Sequence, residues 1–212
     1  MNQEPDEELS RKERERLWHR SLMLEAAEEL FSRNGYYATS MQEIADAAEF
    51  SVGSLYNMFD SKEDLYRQLV NSRVEEYCQE ATARMARKTG PLDKCRAVIR
   101  YKLEFFDEYR QFFRIFSSFG DGSENESFGV LSAESMGMYE EYQNKLIEIF
   151  AAGTREGVFG DIDPSLAVLA LEGLTNAIIG RWVQTGEAKL ESVDPEIIEE
   201  ILFRGLFAKE AN

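Results

Sequence analysis

Between Thr39 and Lys62 the chain carries two serine-initiated amphipathic segments separated by a few residues, a spacing that predicts two short helices and a tight turn. Ser40 and Glu43 stand three apart, the separation at which a hydroxyl and a carboxylate each satisfy a backbone donor left free at a helix start. Ile44, Ala45 and Ala48 then face inward. Phe50 precedes the next cap, Ser51, and Leu55 follows at the spacing of a hydrophobic staple. The second helix is predicted over residues 52–59, with Leu55 and Phe59 inward and Gly53, Ser54, Tyr56 and Asn57 outward. Such a pair has the dimensions of a helix-turn-helix, whose second helix fits the DNA major groove. Short helical pairs are also common in all-α proteins, so the spacing alone leaves a purely structural pair open.

The flanking sequence repeats apolar residues at three- and four-residue intervals and has no Val/Ile/Thr alternation, which predicts an all-α fold. A first helix is predicted over residues 10–34, with Leu17, Met23 or Leu24, Ala27, Leu30 and Phe31 buried and Gly35 ending it. A long fourth helix runs from Asp60–Asp64 to about Lys88, carrying Leu65, Leu69, Val74, Tyr77 or Cys78, and Met85. Gly90-Pro91 marks a boundary, and further helices fit 92–108, 110–119, 130–156, 164–185 and 195–207, about nine in all. Asp163-Pro164 and Asp194-Pro195 each pair a capping residue with proline at the first helical position. Residues 120–129 read as a polar loop. The expected division is 1–62, an N-terminal extension with the helix-turn-helix, and 63–212, joined to it by the long helix.

A formal charge of −16 opposes indiscriminate coating of nucleic acid, so any DNA contact must be local. The early cations Arg11, Lys12, Arg14, Arg16 and Arg20, with His19 beside them, are partly offset by Glu13 and Glu15. Phosphate contact and a solvated helix face both account for them. The acidic start lacks the apolar run of a secretion signal and no stretch is long enough to span a membrane, which predicts a cytoplasmic protein. Cys78 and Cys95 form no metal-ligand pattern and read as reduced structural residues, and a single histidine excludes most histidine-based metal sites. No metal and no cofactor is called for.

On the second helix of the pair, Asn57 suits bidentate contact to adenine and Ser54 pairs with several bases, while no arginine is present to grip guanine. Gly53 has no side chain to hold the backbone away from the groove. Tyr56, Ser40, Thr39 and Lys62 suit phosphates, which set register without reading sequence.

The residues Ala26-Ala27-Glu28-Glu29-Leu30-Phe31, Gly35-Tyr36, Thr39-Ser40, Glu43-Ile44-Ala45, Ser51-Val52-Gly53-Ser54-Leu55-Tyr56, Phe59 and Ser61-Lys62-Glu63-Asp64-Leu65 resemble the N-terminal signature of the tetracycline-repressor (TetR) family of bacterial regulators. The resemblance implies a homodimer with an N-terminal DNA-binding domain and a helical C-terminal domain that binds a small effector and thereby weakens operator binding. It places Ser54, Tyr56 and Asn57 on recognition-helix positions and Lys62 on a phosphate-contacting lysine. Met58 departs from the pattern, where an aromatic or histidine is frequent, and the acidic residues 1–8 lie outside it.

Beyond Pro91 the argument rests on residue type. Tyr101, Phe105, Phe106, Phe112, Phe113, Phe116 and Phe119 are followed by Met136, Met138, Tyr139 and Tyr142. Core packing accounts for any one of them, but their density with adaptable methionines suggests a cavity for an apolar or aromatic effector. Tyr101, Phe105, Phe112, Phe113, Phe116, Met136, Tyr139 and Trp182 are the candidate lining, with Glu104, Glu140 and Glu141 as candidate carboxylates or simply solvated charge. The helix over 164–185 is apolar on several faces through Leu166, Leu169, Leu174, Ala177, Ile178 and Trp182, with Gly173 and Gly180 allowing close approach. With the stripe Ile197, Ile198, Ile201, Leu202, Gly205 and Leu206 it suits a four-helix bundle across a twofold axis, and the resemblance assigns dimerisation to these last two helices. A helical enzyme is disfavoured by the lone His19 and the lack of a phosphate loop or nucleophile-base pattern. An effector-free structural DNA-binding protein would need a broader basic surface.

Overall fold

The structure, a computed structural model, describes residues 10–110, 113, 131–185 and 195–206. Every regular element among them is helical: α1 (Arg11–Asn34), α2 (Met41–Ala47), α3 (Val52–Tyr56), α4 (Lys62–Ala86), α5 (Pro91–Glu108), α6 (Ala133–Arg155), α7 (Pro164–Thr185) and α8 (Pro195–Glu199), the last continuing as a π-helix (Glu200–Leu206). The helix expected over 110–119 and the loop over 120–129, with Phe112, Phe116 and Phe119, lie outside the described residues, as does Asp194. The chain divides into two compact units that meet between Leu69 and Val70. No helix among the described residues is long and apolar enough to cross a membrane.

In the first unit local chemistry sets each helix boundary. Gly35 closes α1 at φ 88°, a conformation that favours glycine, and its N–H reaches the Phe31 carbonyl. Tyr36 then folds back until its ring lies 5.2 Å from that of Phe31. Ser40 and Glu43 form the expected capping box on α2, and Ser51 caps α3 through the Ser54 N–H. Ser61 accepts from Asp64 N at 3.0 Å at the head of α4. These ends aim Met23, Leu24, Ala27, Phe31, Ile44, Ala45, Leu55, Phe59, Leu65 and Leu69 into one core, where each large apolar side chain contributes about 1.5–3 kcal/mol.

Several expectations for this unit are corrected. The helix predicted over 52–59 ends at Tyr56 because the Leu55 carbonyl is shared by the N–H groups of Met58 and Phe59, which tightens the chain into a turn. Leu17 is half exposed rather than buried, since every residue from Arg11 to Trp18 is exposed. Phe50 packs edge-on against His19, with ring centres 4.9 Å apart. The turn between α2 and α3 passes through Glu49 at φ 61°, a left-handed residue that is not glycine.

In the second unit, α5 packs against α6, α7 and α8, and α6 lies along α7. Their shared core includes Cys78, Met85, Cys95, Val98, Leu103, Leu146, Phe150, Leu171, Ile179, Ile198 and Leu202. After α6, Gly157 at φ 70° turns the chain so that the Val158 and Phe159 N–H groups reach the Gly153 carbonyl. A β-carbon at Gly153 would lie 2.3 Å from the Phe159 ring and 3.2 Å from Pro91, so glycine permits this close packing. Asp163 caps α7 as expected, accepting from Ser165 N and Leu166 N. The final helix departs from the α pattern: its turn widens where Leu202 and Phe203 both pack inward, Phe203 stacking on Phe159. Arg96 and Arg100 of α5 hold Glu199 at 2.9 and 3.0 Å.

Candidate nucleic-acid interface

The exposed surface of α3 is polar and small. Gly53, Tyr56 and Asn57 are exposed, whereas Leu55 and Phe59 are fully buried and fix the helix from below. A β-carbon at Gly53 would meet only the Ser51 hydroxyl, at 3.8 Å, so nothing inside the protein requires glycine there. Ser54 is half-buried and its hydroxyl lies 2.8 Å from that of Ser51, leaving it one shared proton. Tyr56 and Asn57 are thus the exposed polar side chains of this helix end, and Asn57 alone carries the paired donor and acceptor that match a base edge.

Residues expected at phosphates divide differently. Thr39 is 1% exposed and its hydroxyl donates to the Gly35 carbonyl at 2.9 Å, so its side chain ties the end of α1 instead of facing outward. Ser40 is exposed, but its hydroxyl accepts from Glu43 N and donates to the Glu43 carboxylate. Those Ser40 hydrogen bonds, side chain first and then backbone, hold the Glu43 carboxyl below the usual range, so a negative charge stands beside the cap. Lys62 donates to the carbonyls of Tyr36 and Thr39, both at 2.9 Å, and its ammonium lies 4.4 Å from the Tyr36 ring centre. Two of its three protons are thus committed to the turn between α1 and α2. Tyr37, in that same turn, is 85% exposed, and the sequence analysis did not single it out. The only signal was the Tyr36-Tyr37 doublet, one member of which had to face solvent.

In the second unit the structure gathers most of the expected aromatic cluster. Phe105 lies 5.3 Å from Tyr77, 5.8 Å from Tyr101 and 6.0 Å from Phe113, and Tyr139 joins through Tyr142 at 6.0 Å. Tyr101, Phe105 and Trp182 are buried, while Phe113, Met136 and Tyr139 are partly buried. Trp182 carries the Arg110 guanidinium over its ring at 4.4 Å. Beside α4 and α5 an open groove of about 650 Å³ is lined by Glu75, Glu76, Glu80, Glu108, Arg84 and Tyr101. Three of its carboxylates have partners: Ser135 on Glu75, Arg73 and Tyr109 on Glu76, Arg84 on Glu80. Arg84 also binds Glu104, while Glu140 and Glu141 are exposed.

Sequence reasoning missed a polar network inside this core. Lys102 and Glu172 are 2% and 6% exposed and pair at 2.5 Å. Tyr142 donates to the other Glu172 oxygen at 2.9 Å, and Tyr77 lies 3.1 Å from the Tyr142 hydroxyl. The carboxylate has no proton to give and Tyr142 has only one, so Tyr77 donates to Tyr142 and Tyr142 to Glu172. Burial, the largest cause, pushes both phenols well above their ordinary range and keeps them as donors. One carboxylate so ties α4, α5, α6 and α7 together. A signal was present: Glu172 is the only charged residue between Pro164 and Gly180.

Comparison with known proteins agrees with this geometry. Residues 23–69 match the family described as bacterial regulatory proteins, tetR family, and residues 88–206 match the tetracyclin repressor-like C-terminal domain. The chain is similar to the HTH-type transcriptional repressor KstR2 of Rhodococcus jostii (strain RHA1), 28% identical over 169 residues that cover 79% of this chain and 80% of that protein. The fold is similar to that of the regulator FadR from Bacillus subtilis in complex with stearoyl-CoA, with a TM-score of 0.70, 21% identity, and coverage of 87% of this chain and 98% of that one. It is also similar to AibR in complex with isovaleryl coenzyme A and operator DNA, with a TM-score of 0.65, 21% identity, and the same 87% and 98% coverage. The chain belongs to the tetR family of bacterial regulatory proteins, DNA-binding transcriptional regulators and not enzymes.

Proposed function

We propose that this protein is a ligand-responsive repressor that binds a near-palindromic operator as a homodimer and is released by a small, largely apolar effector. The observation that carries this reading is the exposed face of α3, where Gly53, Tyr56 and Asn57 stand over the buried Leu55 and Phe59. Lys62 acts first by holding the turn before α2 and keeps one proton for a phosphate. Ser40 and Ser54 offer shared hydroxyls, and Thr39 contributes from within.

A second copy of the chain accounts for the apolar surface of the last two helices. Leu166 and Leu169 on α7 are 60% and 67% exposed, Gly173 and Ala177 continue the same stripe, and Ile197 and Ile201 are exposed on α8 and its extension. A β-carbon at Gly173 would meet nothing within 4 Å, so the close approach that glycine allows is toward a partner. Two subunits joined there would present two α3 helices to the half-sites of a palindrome.

The effector class best supported is an acyl thioester of coenzyme A, the ligand type named for FadR and AibR, with its acyl part among Tyr101, Phe105, Phe113 and Tyr139. Tyr77 lies on α4 and touches both this cluster and the Glu172 network. An acyl chain wedged against Phe105 would displace Tyr77 and with it α4, which begins at Lys62 in the reading head. A ligand that prefers the displaced form weakens DNA binding by its ratio of affinities for the two forms. Residues 1–62 then serve as the reading head and 63–212 as the effector and dimerisation domain.

The test is selection of operator DNA from a random pool by the full chain, followed by titration with stearoyl-CoA, isovaleryl-CoA and coenzyme A alone. The expected result is a two-half-site sequence bound by a dimer and released by an acylated form only. A single-half-site sequence bound by a monomer would overturn the dimeric reading, and release by coenzyme A alone the acyl reading.

A further inference from the structure

We propose that Lys102 is the polar anchor for the effector: its buried ammonium receives an uncharged oxygen of the acyl part, so that the regulator tells an acyl compound from a hydrocarbon of the same length. The inference rests on the effector reading above and names the residue that recognises the oxygen.

Counting donors singles out Lys102. An ammonium carries three N–H donors and no acceptor. Lys102 is 2% exposed, so bulk water reaches none of them. One donor goes to Glu172 at 2.5 Å, and no other acceptor among the described residues takes either of the remaining two. The rest of the network is better supplied. Glu172 accepts from Lys102 on one oxygen and from Tyr142 on the other, and the hydroxyls of Tyr142 and Tyr77 stand in line behind it. A buried donor left without an acceptor forfeits its hydration with nothing in return.

Stability does not account for such a group, because a buried ion pair gains little over apolar side chains of the same volume. Its position does. Lys102, Tyr142, Glu172 and Tyr77 each stand near the middle of their own helix, α5, α6, α7 and α4. Aromatic rings gather at the same level: Tyr142 lies 5.4 Å from Tyr77 and 6.0 Å from Tyr139, and Tyr77 stacks on Tyr101 at 5.5 Å. Apolar and aromatic walls with one or two convergent polar groups are how a small-molecule site fixes the orientation of its ligand.

Charge selects the class of oxygen. Glu172 already balances Lys102, so a carboxylate or a phosphate brought to the pair would leave an excess negative charge inside the core. A carbonyl or hydroxyl oxygen accepts the free donors and adds no charge. The thioester carbonyl of an acyl-coenzyme A and an oxygen carried on the acyl chain both have this chemistry, whereas a plain hydrocarbon leaves the donors unmet.

The experiment measures, by titration calorimetry on the full chain, the affinities of S-octyl-coenzyme A, which has no acyl oxygen, octanoyl-coenzyme A and β-hydroxyoctanoyl-coenzyme A. An oxygen-bearing probe should bind about ten- to a hundredfold more tightly than the S-octyl compound. A gain already present with the octanoyl compound assigns the anchor to the thioester carbonyl, and a gain confined to the hydroxy compound assigns it to the chain. The double variant Lys102→Met, Glu172→Gln should bind the S-octyl compound as the wild type does and lose the gain. Equal binding of all three probes by the wild type, a comparison that stands whether or not the variant folds, overturns the anchor and leaves the apolar-effector reading intact. A gain that persists undiminished in the folded double variant overturns it as well, since a merely structural ion pair would change stability and not the ratio of affinities. Failure of all three probes to bind the wild type overturns the acyl-coenzyme A reading itself, and the anchor with it.

Discussion

The ammonium of Lys62 lies 4.4 Å from the centre of the Tyr36 ring and donates to that residue's carbonyl at 2.9 Å, so the head of α4 holds the turn from which α2 starts. Replacing Lys62 with Met removes charge-assisted bonds to two carbonyls and should destabilise the reading head by about 1.5–3 kcal/mol, read as an earlier first phase in urea denaturation. Operator affinity should fall with it. If the denaturation profile is unmoved and only the salt slope of DNA binding flattens, Lys62 is a phosphate ligand alone.

Glu49 occupies the helix-helix turn at φ 61°. A left-handed conformation costs a side-chain-bearing residue about 1–2 kcal/mol, part of which glycine returns as entropy lost on folding. Glu49→Gly should therefore raise the stability of the first unit by about 0.5–1 kcal/mol without changing the selected operator sequence. A lower denaturation midpoint would show that the Glu49 side chain contributes more than its backbone costs.

The Lys102–Glu172 pair is exposed by only a few per cent on either side, and breaking it leaves a charge inside the core. Lys102→Met should cost about 3–5 kcal/mol in chemical denaturation. The double variant Lys102→Met, Glu172→Gln should recover most of that loss, because the glutamine oxygen still accepts from Tyr142 and no charge remains. A double variant as unstable as the single one would place the cost in packing around Lys102 and not in the unpaired charge.

Burial pushes the thiols of Cys78 and Cys95 from 9.0 up to about 12. Unfolded thiols lose their protons first as pH rises, so the stability linked to these groups is complete below pH 9.0 and is lost progressively toward pH 12. Tyr77 and Tyr142 act in the same direction, since burial raises both phenols. Denaturation midpoints should fall between pH 9.0 and pH 12, and Ellman's reagent at about pH 8 should reach neither thiol until the chain is unfolded. Rapid labelling of the native protein would contradict the burial of both cysteines.

Local devices were legible in the linear chain because their partners stand three to five residues apart. The Ser40–Glu43 box, the Ser51 cap, the Asp163 cap and the Gly35 turn all form where the spacing predicts them. The α3 surface followed from the same arithmetic, since inward Leu55 and Phe59 leave Gly53, Tyr56 and Asn57 outward. Spacing could not say how far a helix is covered, and so Leu17 was placed in a core that ends before it reaches that turn.

Side-chain commitments depended on residues far away in the chain. Thr39 and Lys62 have the chemistry of phosphate ligands, yet contacts across 9 and 26 positions turn one inward and hold the other on backbone carbonyls. Lys102 and Glu172 stand 70 positions apart, and only the packing of α5 against α7 excludes water from both and makes each the other's necessary partner. The sequence alone determined the all-helical class, the capped helix starts and the exposed face of α3, because backbone capping and side-chain period are short-range. Which polar groups remain available to a ligand was decided by the tertiary structure, because burial and pairing belong to neighbours in space.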